Sequence, residues 1–345
     1  MPAKRVRLED IARECGVTKG LVSRALAGKY NVGDETRNKI MQKAVELGYD
    51  FNKLRAKSKE KDSVILVVSS TILMKEDFWQ PIMKNLYATL NRDSIKLEYC
   101  VFDPHAIDLE QIRQLKNKNC LAFVILHVNP DPIIAELSKF NKPIIEVDPK
   151  VMHYTGVTQI KFSNYTSIYE AVQKLIEYGH KTIAFFGADG HAMSFRERHE
   201  GFEASIDDAK RANKAIRGVP IIFDNSNLQY SDNKMLRDTL LENPDITAII
   251  CANDICALNA YKVIASMGKR VPEDYSIIGF DNVQVGQYTI PPLSTFNIPR
   301  EQVGDEVGRY LIRLTQPGQP QYSELIIRSE FIERGSIRAI GKSNE

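Results

Sequence analysis

The chain has 345 residues, 43% hydrophobic and 26% charged. That composition excludes a disordered or fibrous chain and suits an ordinary soluble globular protein of two or three folding units. No run approaches the ~18 unbroken apolar residues of a membrane helix, and the opening "MPAKRVRLED" lacks the apolar core of a signal peptide, so a cytoplasmic location is expected. The net charge of +2 conceals an asymmetry: residues 1–62 hold 15 Lys/Arg against 9 Asp/Glu, and the remainder holds 31 against 35. A basic head on a slightly acidic body suggests a polyanionic partner for the head, although charge alone equally describes a solvated face.

In chain order, Leu8, Ile11, Ala12 and Cys15 take the i, i+3, i+4, i+7 spacing of one helix face. Gly16 is placed to end that helix, because glycine reaches the left-handed conformation most easily. Thr18 is placed to cap a second helix whose inner side carries Leu21, Val22, Ala25 and Leu26. Ala12, Gly16 and Val22 have the spacing of a helix-turn-helix: a small residue for close approach, a turn, and an apolar residue packing back. A third helix is predicted over 34–47, with Ile40, Met41, Ala44, Val45 and Leu47 inward and Gly48 as its stop.

The stretch "VRLEDIARECGVTKGLVSRALAGKYNVGDETRNKIMQKAVELGY" closely resembles the headpiece of the lactose-repressor/galactose-repressor family of bacterial transcription regulators. The motifs DIA, GVT, VSRAL, ETR and ELGY fall in register over some 45 residues. The resemblance implies that the second helix lies in the DNA major groove, with Lys19, Gly20 and Arg24 facing base edges. Chemistry supports the two cations, since both donate to guanine O6 and N7 and arginine does so bidentately. Gly20 has no side chain to read with. Thr18 and Ser23 suit phosphate contacts, which set register rather than sequence.

The segment "YDFNKLRAKSKEKDS" departs from the family's Y-x-P-N-x-x-A-R-x-L, which implies a hinge helix with a leucine wedge in the minor groove. Phe51 stands for the proline, Arg55-Ala56 for the Ala-Arg pair, and Ser58 for the wedge. A hydroxyl cannot unstack a base step as an apolar side chain does, and the lysine-rich run favours sequence-tolerant phosphate contact. Either residues 50–62 form a weak helix or unfolded basic tether, or Leu54 serves as the wedge after a shift in register.

Beyond residue 62, short apolar runs alternate with helical patterns. Strands are predicted at "VILVVSS", "KLEYCVF", "LAFVILH", "PIIEVD" and "QIKF", and in a second series at "TIAFFG", "PIIF", "ITAIICAN" and "YSIIGFD". Helices such as "SNYTSIYEAVQKLIEYG" and "ICALNAYKVIASMG" lie between them, the signature of parallel α/β sheets in two lobes. The blocks "KLIEYGHKTIAFFG", "RERHEGF", "ANDICALNAYKVIASMGKRVPEDYSIIGFDN", "IPPLSTF" and "RGS" extend the family resemblance through this region. It implies the fold of periplasmic sugar-binding proteins with an effector between the lobes. The expected organisation is a headpiece at 1–49, a basic linker at 50–62 and a body at 63–345. Lobe 1 is expected at about 63–161 plus 291–320, and lobe 2 at about 162–290 plus 321–335.

Ligands of open α/β sheets bind at the carboxyl ends of strands. Asp148, Asn253 and Asp281 each follow an apolar strand, and Arg198 in "RERHEGF" matches the family's effector-binding arginine. Carboxylates, an amide and a guanidinium suit the vicinal hydroxyls of a sugar, although Asn253 equally suits a helix cap. Phe78 and Trp79 follow the first strand, where the resemblance implies an aromatic against the sugar ring. Ser163 stands where the family commonly has an aspartate, which removes one acceptor. A nucleobase or sugar-phosphate effector on the same body is the alternative, and a sugar-active enzyme a more remote one.

The resemblance also implies a homodimer on a near-palindromic operator, and no leucine heptad follows "FIERGSIRAIGKSNE" to make tetramers. No GxGxxG follows a strand, and no Walker loop, GxSxG or HExxH occurs, so an enzyme is not expected. Five scattered cysteines without a CxxC pair read as reduced thiols, and no metal or cofactor is expected. The hinge readings separate on operator affinity: with a basic tether, Leu54→Ala leaves affinity near the wild-type value and Ser58→Leu raises it. A large loss on Leu54→Ala in an electrophoretic mobility-shift titration would instead identify Leu54 as the wedge.

Overall fold

The computed structural model describes residues 6–26, 32–49, 62–73, 76–126, 131–151, 156–189, 193–224, 233–316 and 318–340. Leu54 and Ser58, with the linker expected at 50–62, lie outside the described residues except for Asp62. The chain divides into two compact units, residues 1–62 with 316–319 and residues 63–315 with 320–345.

The first unit is built from α1 (Leu8–Cys15), α2 (Lys19–Leu26) and α3 (Asp34–Glu46). The Arg7 N–H donates to Asp10 Oδ2 at 2.8 Å and fixes the start of α1. Gly16 ends it at φ +69°, where a Cβ would be strained, and the Val17 N–H reaches back to Ala12 O at 3.0 Å. Ile11, Ala12, Cys15, Val22, Ala25, Ile40, Ala44 and Tyr49 form the core of this unit. Val45, expected inward, is 62% exposed. It follows Ala44 by 100° around the helix axis, and the core-facing stripe of α3 is narrow.

The second unit holds two six-stranded sheets. Its elements are β1 (Ser63–Ser69), α4 (Ser70–Leu73), α5 (Glu76–Arg92), β2 (Lys96–Phe102), α6 (Leu109–Gln114), β3 (Cys120–Leu126), α7 (Asp131–Ser138), β4 (Ile144–Val147), β5 (Val157–Phe162) and α8 (Asn164–Glu177). There follow β6 (Thr182–Asp189), α9 (Met193–Arg211), β7 (Arg217–Asp224), α10 (Asn233–Glu242), β8 (Ala248–Cys251), α11 (Asp254–Ser266), β9 (Ser276–Asp281), β10 (Ser294–Asn297), α12 (Arg300–Leu314), β11 (Glu324–Ile327) and β12 (Glu330–Ile332).

The lobe 1 sheet runs β11-β5-β4-β3-β1-β2 and is wholly parallel. The lobe 2 sheet runs β12-β10-β9-β8-β6-β7, parallel except where β12 opposes β10. Central strands such as β1, buried along its whole length, read as unbroken apolar runs because helices cover both faces. The chain passes between lobes three times, after β5, between β10 and α12, and between β11 and β12.

These passages correct the expected lobe spans. Ser294–Asn297, assigned to lobe 1, pairs with β9 in lobe 2, and Glu324–Ile327, assigned to lobe 2, pairs with β5 in lobe 1. β11 is only half covered and lacks the buried run of the central strands, while β10, buried over Ser294–Phe296, carries only one large apolar side chain in that stretch and so no apolar run in the sequence. The passages clasp one another: the Ser163 N–H donates to Ile327 O at 3.0 Å, and the Ser329 N–H donates to Ser163 Oγ at 2.8 Å. Helix α12 packs on α5 of lobe 1, and Gly304 makes the approach possible because a Cβ there would run into Ile82 O and Leu86 N. Gly304→Ala is therefore expected to cost ~1–3 kcal/mol in urea unfolding, the range for overpacking a close contact.

Candidate effector cleft and DNA-reading surface

The headpiece separates its buried and exposed residues by helical period. Val22 and Ala25 of α2 are buried, while Lys19, Gly20 and Arg24 are exposed and Ser23 is half-buried. Thr18 Oγ accepts the Leu21 N–H at 3.3 Å, so it caps α2. Lys19 forms an ion pair with Glu9 of α1, and this contact holds the Glu9 carboxyl below its usual range. A Cβ at Gly20 would meet no atom, so this position is open.

In the body, the strand ends place the polar side chains. Asp148 follows β4 at φ +52°, its N–H donating to Ile160 O at 2.9 Å, and Asp281 ends β9 at φ +107°. Arg198 projects from α9 with its side chain 4% exposed. Its Nε–H donates to Asn164 Oδ1 at 3.0 Å, Nη1 to Ala252 O at 2.5 Å and Nη2 to Asp281 Oδ1 at 3.5 Å. The guanidinium lies 3.7 Å from the Phe280 ring centroid, a cation–π contact strengthened by the absence of competing water.

Burial pushes the Asp281 carboxyl up to about 6, against the lowering pull of Arg198 and Arg300, and the Asp148 carboxylate adds to the rise. That influence places Asp148 of lobe 1 and Asp281 of lobe 2 in one electrostatic neighbourhood. Arg300 donates to Asn282 O at 3.0 Å and stands 5.9 Å from the Phe78 ring. Phe78 meets Phe162, at the end of β5, edge to face at 6.2 Å. The structure thus gathers Phe78, Asp148, Arg198 and Asp281 around the strand ends.

Two expected residues fall differently. Trp79 is 4% exposed and packs in the apolar core with Ile82 and Met83, where it supports lobe 1. Asn253 caps α11, its Oδ1 accepting the Cys256 N–H at 2.9 Å, which leaves its amide N–H groups for other work. Sequence reasoning missed Asn164, Arg300 and Asp254. Asp254 is wholly buried, accepts from Thr295 Oγ at 2.6 Å and the Val283 N–H at 2.8 Å, and burial pushes it up to about 7. Adjacent to Asn253 in "AND", it could have been found only by asking why two polar residues end one strand. Among the described residues no group of three or more His, Cys, Asp or Glu could hold a metal ion. Among them, too, no helix is long and apolar enough to cross a membrane.

A helix-turn-helix unit and a two-lobed body with polar strand ends define a DNA-binding regulator with a ligand-binding domain. Residues 7–52 match the model of bacterial regulatory proteins of the lacI family, and residues 172–337 match the periplasmic binding protein-like domain. Over 96% of its length the chain is 25% identical to the transcriptional regulator CelR of Thermobifida fusca, covering 98% of it. Over 97% it is 28% identical to the probable repressor ExuR of Bacillus subtilis, covering 99% of that protein. Among solved structures it superposes on a CelR–cellobiose complex with a TM-score of 0.66 at 24% identity, covering 96% of this chain and all of the other. It also superposes on the lac repressor dimer bound to operator and an anti-inducer, with a TM-score of 0.66 at 23% identity, covering 97% and 100%. The chain belongs to the lacI family and is a DNA-binding transcriptional repressor with a ligand-binding effector domain.

The buried carboxyls carry a pH signature. Asp254 and Asp281 hold their protons more tightly folded than unfolded, so their contribution to stability is full below about pH 4 and is lost as pH rises through 6 to 7. His180 acts oppositely: burial lowers it to about 4, so its contribution is present above about pH 6.5 and is lost on acidification. Asp254→Asn removes one rising carboxyl without changing shape. Its urea-unfolding stability relative to wild type is expected to improve between pH 5 and pH 8, and a constant difference would show that Asp254 is ionised throughout.

Proposed function

We propose that the effector is a small carbohydrate held between the lobes by Asp148, Arg198, Asn253 and Asp281, with Phe78 against its ring. Its binding alters the affinity of a homodimer for a near-palindromic operator read by Lys19 and Arg24. The observation that carries this reading is the pairing of Arg198 with Asp281 beside Asp148, which sets donors and acceptors within reach of one polyhydroxylated ligand. An ionised carboxylate accepts from two hydroxyls at once, and a guanidinium donates to vicinal oxygens in a fixed fork. CelR has been solved in complex with cellobiose, and a lacI-family regulator of Enterococcus faecium with bound ribose, which supports the carbohydrate class.

Effector and operator are coupled through two arrangements of the lobes, each ligand favouring one of them by its differential affinity. Phe78, Phe162 and the three interlobe passages lie where such a rearrangement is felt first. A thermal-shift screen of neutral sugars, sugar phosphates and purines tests the effector class. A carbohydrate at a hundredfold excess over its Kd is expected to add ~2.7 kcal/mol of stability, and Arg198→Met is expected to abolish the shift. A shift with purines alone would overturn the carbohydrate reading in favour of a nucleobase.

A further inference from the structure

Arg198 is tied to the far side of the body by a succession of side-chain contacts. The Asn164 carbonyl that accepts its Nε–H belongs to an amide whose Nδ2–H donates to Glu197 Oε2 at 2.9 Å. Glu197 Oε1 meets Lys161 Nζ at 2.5 Å, and the same ammonium meets Glu324 Oε1 at 2.6 Å. Lys161 and Glu324 stand on β5 and β11, neighbouring strands of lobe 1, whereas Glu197 and Arg198 stand on α9, which packs with α8 and against lobe 2 strands. The Lys161–Glu197 contact is the link of this succession that crosses from one lobe to the other. Lys161 is 8% exposed and Glu197 14%, while Glu324, at 39%, opens to solvent.

We infer that Lys161, Glu197 and Glu324 are positioning residues for the cleft arginine, acting through Asn164, and that they make the aim of Arg198 depend on the registry of the two lobes. The functional weight of this rests on Arg198 being an effector contact. The physical basis is the asymmetry of the asparagine amide, which can present either oxygen or nitrogen to a neighbour by a half-turn. A carboxylate on Nδ2 fixes Oδ1 toward Arg198, and only that orientation gives the Nε–H an acceptor. Glu197 can serve Asn164 with one oxygen because Lys161 holds the other. Burial alone would lower the Lys161 value, but the two carboxylates outweigh it and keep the ammonium charged.

Remove the ammonium and Glu197 is a largely buried carboxylate without a cation, which favours turning to water over holding Asn164. A lobe rotation that lengthens the Lys161–Glu197 contact has the same effect. Hydrogen-bonded networks of this kind respond as units, so a change at Glu324 reaches Arg198 through three intervening side chains.

The test needs no effector. In the full-length protein labelled with 15N-arginine, the Nε–H resonance of Arg198, identified by its loss in Arg198→Lys, reports whether the acceptor is in place. Lys161→Met is expected to accelerate exchange of that proton with water about tenfold, the factor for loss of one net hydrogen bond. Lys161→Arg is expected to retain the slow rate. Thermal midpoints are recorded beside the exchange rates, because a purely structural lysine would lower the midpoint and leave the Arg198 rate unchanged. That pattern, or wild-type exchange in Lys161→Met at any midpoint, overturns the inference. Should Lys161→Met fail to fold, Glu197→Gln, which keeps an acceptor for Asn164 but loses the ion pair, is expected to show faster exchange, and an unchanged rate refutes the relay. A failed carbohydrate screen would remove the effector reading while leaving this result standing, so the two outcomes are distinguishable.

Discussion

A guanidinium that has lost its water must be surrounded by acceptors, and the body of this protein is arranged to supply them to Arg198. The supply comes from separate places in the chain: a helix-start amide at Asn164, a carbonyl at Ala252 just after β8, and a carboxylate at the end of β9. The stacked Phe280 ring closes one face and excludes the solvent that would weaken each contact. A partly filled network in such a place costs more than an apolar core, which ties the sheet, α8 and α9 to one geometry.

The consequence for function is that affinity for a polar ligand and the geometry of the lobes are one property. Asp148 and Asp281 come from different sheets, yet the Asp148 carboxylate adds to the rise of Asp281. An effector that bridges them, as proposed, would stabilise one spacing of those sheets. Two of the three chain passages between lobes are clasped to one another through Ser163, Ile327 and Ser329. Where relatives of this family commonly have an aspartate, Ser163 supplies a hydroxyl that both joins the passages and meets Ser167 Oγ at 3.0 Å. The residue that looked like a lost ligand thus joins the passages between lobes.

The headpiece works on a sparser principle. Its core is small, and the surface proposed to read DNA consists of two cations flanking an open glycine, one cation paired with Glu9. An exposed ion pair of this kind contributes little to stability, so the pair holds Lys19 loosely. On the proposed reading, discrimination by so few side chains would lean on backbone contacts and on two half-sites.

Much of this was legible in the residues alone. The helix-turn-helix follows from Ala12, Gly16 and Val22, and the central strands follow from unbroken apolar runs, because local period and burial on both faces are written directly in side-chain type. Asp148, Arg198 and Asp281 were recognisable as polar residues ending buried strands or standing in a matching motif. Pairing across sequence distance was not legible. The lobe to which β10 and β11 belong depends on which strand each finds as a neighbour, and the side chains of a four-residue strand do not record that neighbour. Trp79 reads as a ligand platform by position, but α5 turns it into the core. Asn164, Lys161 and Glu197 look like unremarkable surface polars along the chain. They acquire meaning only once two sheets bring them within hydrogen-bond reach, since a buried charge is satisfied by its neighbours in space. The sequence determined the two kinds of unit and the chemistry available to each; the tertiary structure decided which polar groups meet, because partnership is a matter of distance that no local period records.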